Sequence, residues 1–197
     1  MTISNPMNSA AARTPLRRDQ ALVLVIDVQE RLLAAMVPAA AERLVRGCVT
    51  LLRGAAALGV AVTATEQYPR GLGPTVEPIR AALPAGFAPP EKLDFSAYPV
   101  LRGTGGPFAE GPPRPVIVCG METHVCVYQT VRDLCAAGHQ VVVVQDAVLS
   151  RTDENRAIGL GLIRDAGAAL GSVESVLFDL CGRAGTPEFK AISALVK

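Results

Sequence analysis

The feature that most constrains the fold is an alternation of short apolar runs with longer stretches of helical periodicity. Residues 21–26 are continuously apolar and rich in β-branched side chains, which is typical of a strand buried on both faces. Further strands are predicted at 60–65, just before and at Lys92, and at 115–119, 140–144 and 168–170, with helices at 38–58, 123–137, 155–165, 172–180 and from Pro187. Such an alternation predicts right-handed βαβ units, an α/β fold and a parallel sheet covered on both sides.

Composition limits the class of protein and its partners. The 197 residues correspond to one domain, and a content of 50% apolar and 19% charged residues excludes a disordered chain. A net charge of +1 without a basic stripe argues against a nucleic-acid partner. No apolar run approaches the roughly 20 residues that span a membrane. Residues 1–18, rich in Ser, Ala, Asn and Arg, are expected to be a disordered N-terminal tail, followed by a single domain at 19–197.

Five cysteines, at positions 48, 119, 126, 135 and 181, show no C-x-x-C pair. Together with the absence of a secretory signal pattern, this indicates reduced thiols and a cytoplasmic location. Cys48, Cys119 and Cys135 lie inside predicted elements, where a cysteine usually acts as a small packing residue. Cys181, near a predicted helix end, is undecided.

Polar residues follow the predicted strands closely. Asp27, Glu66–Gln67, Lys92, Gly120–Cys126 and Asp146 are all expected at or just past the carboxyl ends of strands. Parallel sheets bind ligands beyond those ends. Residues that are more than one hundred positions apart are therefore expected to meet on one edge of the sheet.

Cys126 is the candidate nucleophile, because it follows a strand and opens a helix. The helix dipole and the free N–H groups at a helix start favour a thiolate, so an ionised thiol is expected here. Asp27 is then either a turn residue or a partly buried carboxylate that accepts the thiol proton. Lys92 alone resembles a solvated loop lysine, but at the edge of the sheet its ammonium would keep Asp27 ionised and stabilise the thiolate.

These residues resemble the isochorismatase-like cysteine hydrolase superfamily, with similarity from about residue 21 to the C-terminus. The motifs that carry it are Asp27 after an apolar strand, a lysine at 92 and Gly-Met-Glu-Thr-His-Val-Cys at 120–126. Residues 66–75 and 187–190 are similar to the subgroup of isochorismatase domain-containing proteins. The resemblance implies a three-layer α/β/α fold with a six-stranded, mostly parallel sheet.

The resemblance also implies a catalytic triad of Asp27, Lys92 and Cys126. The amidases of this superfamily have a non-proline cis peptide four residues before the cysteine, which here is the Met121–Glu122 bond. The N–H groups of Glu122 and Cys126 would then form the oxyanion hole.

Two departures from the family pattern narrow the chemistry. The nicotinamidases of the superfamily bind zinc through an Asp and two histidines near the second strand, whereas this chain has only His124 and His139, both elsewhere. No metal and no cofactor are therefore expected. Isochorismatases proper lack the nucleophilic cysteine and cleave a vinyl ether, so Cys126 favours the amidase branch.

The expected function is hydrolysis of a small amide or related acyl compound through a thioester on Cys126. Residues that flank the edge positions are the candidate substrate-binding residues: Gln29, Gln67, Tyr68, Phe95 and His124. For His124, a helix-start side chain is an equal alternative. A non-catalytic binding or scaffold protein and a thiol redox sensor are the other classes considered. The expected partners are a small-molecule substrate and further copies of the chain in a homo-oligomer.

Overall fold

A computed structural model describes residues 14–197. Six strands form one sheet in the order β3-β2-β1-β4-β5-β6, and every neighbouring pair is parallel. The strands are β1 Leu22–Ile26, β2 Ala61–Gln67, β3 Glu91–Lys92, β4 Pro115–Met121, β5 Gln140–Leu149 and β6 Ala169–Gly171. The predicted six-stranded α/β fold is confirmed.

Helices lie between the strands and after the last one. The helices are α1 Glu30–Ala34, α2 Pro38–Leu58, α3 Pro69–Leu72, α4 Glu77–Arg80, α5 Tyr98–Leu101, α6 Tyr128–Ala136, α7 Asp153–Asp165, α8 Val173–Cys181 and α9 Pro187–Leu195. A π-helical turn at Thr123–Val127 precedes α6. In α2, proline at the first turn and left-handed Gly59 after the last mark the two ends of the helix.

The sheet is buried on both faces, which makes the fold three-layered. Along β1, Val23 and Val25 join an apolar cluster with α2 and α8, whereas Leu22, Leu24 and Ile26 join a second cluster with α6 and α7. Because successive strand residues point to opposite faces, a strand covered on both sides must be continuously apolar. This is the pattern that residues 21–26 display.

The predicted end of the fifth strand was wrong. The strand predicted at 140–144 continues to Leu149, after a register shift between Val118 and Gly120 on the neighbouring strand. Asp146 therefore lies within β5 rather than beyond its end, and its carboxylate accepts a hydrogen bond from Val173 N at the start of α8 (2.9 Å). It satisfies a free N–H in the first turn of α8, whose N-cap is Ser172, and does not lie beyond the carboxyl end of its strand.

The predicted tail at 1–18 falls mainly on residues 1–13, which lie outside the described part of the chain. Residues 14–18 are described, and they pack against the domain. Leu16 is buried in the core, and its N–H donates to Asp179 (3.2 Å). The packed chain therefore includes residues before 19. None of the described helices is long and apolar enough to cross a membrane.

Candidate active site

Asp27, Lys92 and Cys126 meet at the carboxyl edge of the sheet, as the strand ends predict. Asp27 directly follows β1, Lys92 is the last residue of β3, and Cys126 lies in the π-helical turn after β4. Strands β3, β2, β1 and β4 are consecutive in the sheet, so three distant parts of the sequence are brought to one place. All three side chains are buried.

Asp27 is held in an uncommon backbone conformation. Its φ of 50° is left-handed, a region that Asp tolerates better than most residues and that persists where the surroundings impose it, often at functional sites. Thr65 Oγ1 donates to Asp27 Oδ1 (2.8 Å), and Lys92 Nζ lies 2.7 Å from Oδ2. Both charged side chains of this ion pair are almost completely excluded from solvent.

The Lys92 ammonium is surrounded by oxygen atoms. Besides the carboxylate, it contacts Gln67 Oε1 (2.7 Å), Phe95 O (2.9 Å) and Asp94 O (3.1 Å). An ammonium has three N–H donors, so four oxygens compete for three hydrogens. Asp27 Oδ2 accepts no well-aligned hydrogen bond from residues 14–197, although the ion pair is close. That oxygen retains the capacity to accept a proton.

The pKa of the Cys126 thiol is shifted upward, opposite to the direction that the expected thiolate requires. Burial raises the pKa of the Cys126 thiol to about 12, the Asp27 carboxylate adds to the rise, and the Lys92 ammonium only partly opposes it. Only 6% of the residue is exposed, and desolvation disfavours the charged form of the thiol. Burial therefore acts against the ionised thiol that the helix start favours.

The carboxyl group of Asp27 is shifted in the direction that suits a base. Burial raises its pKa above the ordinary value, while Lys92 and Thr65 oppose the rise. A carboxylate with a raised pKa binds a proton more readily than one in water. Burial thus raises the pKa of both the Cys126 thiol and the Asp27 carboxyl group.

The backbone before Cys126 is shaped by a close approach of β4 to β1. A Cβ at Gly120 would lie 2.1 Å from Ile26 O, and the residue has φ 120°, so only glycine fits. The following Met121–Glu122 peptide bond is cis. Glu122 O then accepts hydrogen bonds from Val125 N and Val127 N, which start the turn that carries Cys126.

Two predicted substrate-binding residues have other roles in the structure. The Gln29 amide is fully buried, accepts from Gln67 N (2.8 Å) and donates to Gln67 O and Gly73 O (3.0 and 2.7 Å). Gln67 uses its own amide on Lys92 Nζ and Leu93 O. Their polar atoms are consumed within the protein, so Gln29 braces the loop after β2 and Gln67 positions the lysine.

The other three predicted residues remain available to a ligand. Tyr68 and Phe95 are 51% and 53% exposed. His124 is half-buried, and its Nδ1 lies 3.0 Å from Ser150 Oγ. His124 is therefore oriented by Ser150, a contact that only the folded chain creates.

Sequence reasoning missed two further contacts at the site. Arg151 holds the Glu122 carboxylate through its backbone N (3.0 Å) and its Nε (3.2 Å). Thr130 Oγ1 donates to Cys126 O (2.7 Å) and accepts from Ala97 N (2.8 Å). A threonine four residues after a helical residue often makes the first kind of bond, so the spacing of Thr130 was a usable signal. Arg151 gave none.

Within residues 14–197, no group of three or more His, Cys, Asp or Glu side chains is arranged to hold a metal ion. The five thiols are free, and the buried Cys119 lies near Cys48 on the opposite face of the sheet from Cys126.

Comparison with known proteins identifies the class. The isochorismatase domain family matches residues 108–175. Isochorismatase domain-containing protein 2 of Bos taurus is 37% identical over 191 residues, covering 95% of this chain and 90% of that protein. The secreted isochorismatase effector Isc1 of Phytophthora sojae is 42% identical over 183 residues, covering 89% and 84%. The chain therefore belongs to the isochorismatase domain family, and its fold is that of the family's hydrolases.

Solved structures agree with this assignment. The MAR1 ribonuclease of Caenorhabditis elegans superimposes with a TM-score of 0.81 at 29% identity, covering 93% of this chain and 92% of that one. YcaC of Escherichia coli, described as an octameric hydrolase of unknown specificity, has a TM-score of 0.77 at 22% identity over 92% and 89%, and shares the fold.

Proposed function

We propose that this protein is a cysteine hydrolase that cleaves a small amide or related acyl compound through a thioester on Cys126. Asp27 serves as the base, Lys92 balances its charge, and the N–H groups of Glu122 and Cys126 bind the oxyanion. The observation that carries the proposal is the buried Asp27–Lys92 ion pair coupled to a buried thiol at the start of a helix. Burying two charges is costly, and a scaffold has no use for that cost.

We infer the path of the proton from the pKa shifts of the two groups. A thiol with a pKa of about 12 is a poor nucleophile while protonated, so its proton passes to Asp27 as the sulfur attacks the carbonyl carbon. The carbonyl carbon then carries the sulfur and an oxyanion, which each backbone donor stabilises by about 3 kcal/mol. Asp27 gives its proton to the departing amine, and later takes one from the water that releases the acid.

A redox-sensing role is less well supported. Cys119 packs on the opposite face of the sheet from Cys126 and is unsuited to resolve a sulfenic acid there. Cys135 follows Cys126 by nine residues in a continuous helical segment, which separates them by roughly 13 Å along the axis. A thiol without a resolving partner does not form a reversible intramolecular switch.

RNA is the competing substrate class, because a related structure bears the name of a ribonuclease. The net charge of +1 weighs against it, since RNA binding relies on clustered cations that neutralise phosphates. We infer that the substrate is a small molecule. We also propose a homo-oligomer, because an octamer is described for a protein of the same fold, and a cytoplasmic location, because all five thiols are free.

Acyl-enzyme trapping tests the proposal. The purified protein is mixed with 4-nitrophenyl acetate, nitrophenolate release is followed, and the acetylated residue is located by mass spectrometry. The expected result is acetylation of Cys126 and its loss in Cys126→Ala, whereas Cys135→Ala, a half-buried thiol in α6, keeps full turnover. A panel of small uncharged amides and a fluorescent RNA are assayed in parallel.

Equal turnover by Cys126→Ala and the native protein would rule out covalent catalysis. Cleavage of RNA that requires Cys126, without acylation by any ester or amide, would replace the amide proposal with a nuclease.

A further inference from the structure

Apolar side chains are exposed at the edge of the sheet that carries the site. Six large apolar side chains of residues 14–197 are exposed: Val37, Tyr68, Leu93, Phe95, Ile158 and Leu162. Three of them, Tyr68, Leu93 and Phe95, follow the ends of the neighbouring strands β2 and β3. Scattered apolar residues are normal on a protein surface, but a group beside a reactive centre indicates a binding surface.

Both segments are tied to the catalytic lysine. Tyr68 N donates to Lys92 O (3.0 Å), and Lys92 Nζ binds Phe95 O. The second segment is also tied to the nucleophile, because Ala97 N donates to Thr130 Oγ1, which in turn donates to Cys126 O. The apolar side chains are thus fixed to the same framework as the reacting groups.

A cavity of about 380 Å³ opens at this place, lined by Tyr68, Arg70, Glu91, Lys92 and Leu93. Lys92 therefore belongs both to the wall of the cavity and to the catalytic cluster. The exposed Arg70 and Glu91 bring one charge of each sign, so the cavity has no net charge beyond the lysine, which Asp27 neutralises. Its lining favours an uncharged, apolar group.

The tyrosine at its mouth is placed by a glycine. Tyr68 has φ 38°, a left-handed conformation that is uncommon for an aromatic residue and is kept where the surroundings impose it. A Cβ at Gly71 would lie 2.4 Å from two ring atoms of Tyr68, so the ring rests on the glycine backbone. Arg31 binds Gly71 O, which fastens this loop to α1.

We propose that the substrate is an uncharged amide or ester whose acyl group is apolar, and that Tyr68 and Leu93, which line the cavity, select it. The inference rests on the proposed cysteine hydrolase function. The acyl group stays bound to Cys126 through both halves of the reaction, so a neighbouring cavity that holds it acts in each step. A second copy of the chain seated on these side chains is the competing occupant.

A series of 4-nitrophenyl esters with one leaving group measures the selectivity. In each case the bond from Cys126 Sγ to the acyl carbon forms, the ester C–O bond breaks, the electron pair leaves with nitrophenolate and the thiol proton passes to Asp27. Each buried methylene is expected to raise kcat/KM about fourfold, so butanoate exceeds acetate by about fifteenfold. The charged hemisuccinate ester is expected to gain nothing over acetate.

Single substitutions test which side chains cause the selectivity for the acyl chain. Tyr68→Ala and Leu93→Ala are each expected to lower the butanoate to acetate ratio at least threefold. Gly71→Ala, which adds a methyl group within a short helix, displaces the ring and is expected to match Tyr68→Ala. The double variant with Tyr68→Ala and Gly71→Ala is expected to have the same butanoate to acetate ratio as either single variant, because both act through the Tyr68 ring. Val37→Ala, on an equally exposed apolar residue before α2, leaves the ratio unchanged.

The outcomes separate the two proposals. Acylation of Cys126 that is independent of chain length, or a ratio that these variants do not change, overturns the apolar subsite and leaves the hydrolase standing. No acylation by any ester overturns the hydrolase itself. A fall in molecular mass of Leu93→Ala by light scattering, with selectivity unchanged, assigns the patch to a second copy and also overturns the subsite.

Discussion

Replacing Asp27 by Asn is expected to make the thiol more reactive while it stops hydrolysis. Burial raises the pKa of Cys126 most and the Asp27 carboxylate comes second, whereas Lys92 lowers it. In Asp27→Asn the burial remains, the neighbouring negative charge is gone, and the ammonium is left facing the sulfur. The variant therefore loses one anion from the site and has a larger fraction of Cys126 in the thiolate form.

The structure sets the size of the effect. A pKa of about 12 instead of 9.0 leaves about a thousandfold less thiolate near neutral pH, since each pKa unit is a factor of ten. Because burial is the largest cause and persists in the variant, only part of this factor is recovered. Alkylation of Cys126 by iodoacetamide at pH 7.5 is expected to accelerate about tenfold to a hundredfold, while loss of the base lowers turnover by at least about a hundredfold.

Site-resolved mass spectrometry measures the alkylation of each cysteine separately. Cys48 and Cys119 are fully buried, so they stay unmodified as long as the variant remains folded. Asp165→Asn, the same change at the end of α7, is the matched control and alters neither rate. Alkylation of Cys126 that is unchanged or slower in Asp27→Asn, in a folded protein, would refute the assignment of the raised pKa to this carboxylate.

Further perturbations test stability. Lys92→Met is expected to lower the free energy of unfolding by about 3–5 kcal/mol in urea titrations, because its carboxylate partner becomes an unpaired buried charge, and an unchanged midpoint contradicts this. Gly120→Ala should cost several kcal/mol by overlap with the neighbouring strand, whereas Gly161→Ala, which meets open space, should be neutral or stabilising in thermal melts. Cys126 releases its proton near pH 9 when unfolded and near 12 when folded, so it makes stability fall by about 1.4 kcal/mol per unit as pH rises between these values. Cys126→Ala is expected to show a shallower decline, and identical slopes would contradict the raised pKa.

The parts of the fold that sequence reasoning predicted are those with a strong local pattern. The apolar run of β1 and the 21-residue amphipathic α2 were located almost to the residue. The end of β5 was missed, because Gln145 and Asp146 resemble a strand terminator. In the structure they are exposed positions at a register shift, after which Ala147 to Leu149 continue the strand. A shift of this kind depends on the neighbouring strand and leaves no local pattern.

The candidate site also contains features that the sequence predicted and features that it did not. The meeting of Asp27, Lys92 and Cys126 followed from the rule that parallel strands end at one edge, together with the family resemblance. The raised pKa of the Cys126 thiol and the bracing role of Gln29 did not follow from the sequence. Both depend on burial and on backbone groups that other segments bring into the site, which no spacing along the chain encodes.

Lys92 lies on a two-residue strand at the edge of the sheet, so local opening of this strand would change the candidate active site. Edge strands open more easily than central strands. Each opening of β3 would remove the Lys92 ammonium and leave the Asp27 carboxylate unpaired in an apolar interior. That penalty restrains the opening, so the charge proposed to serve the reaction also holds this edge strand in place. Hydrogen exchange of the backbone amides of Lys92 and Tyr68 consequently reports how often this edge strand opens and the ion pair separates.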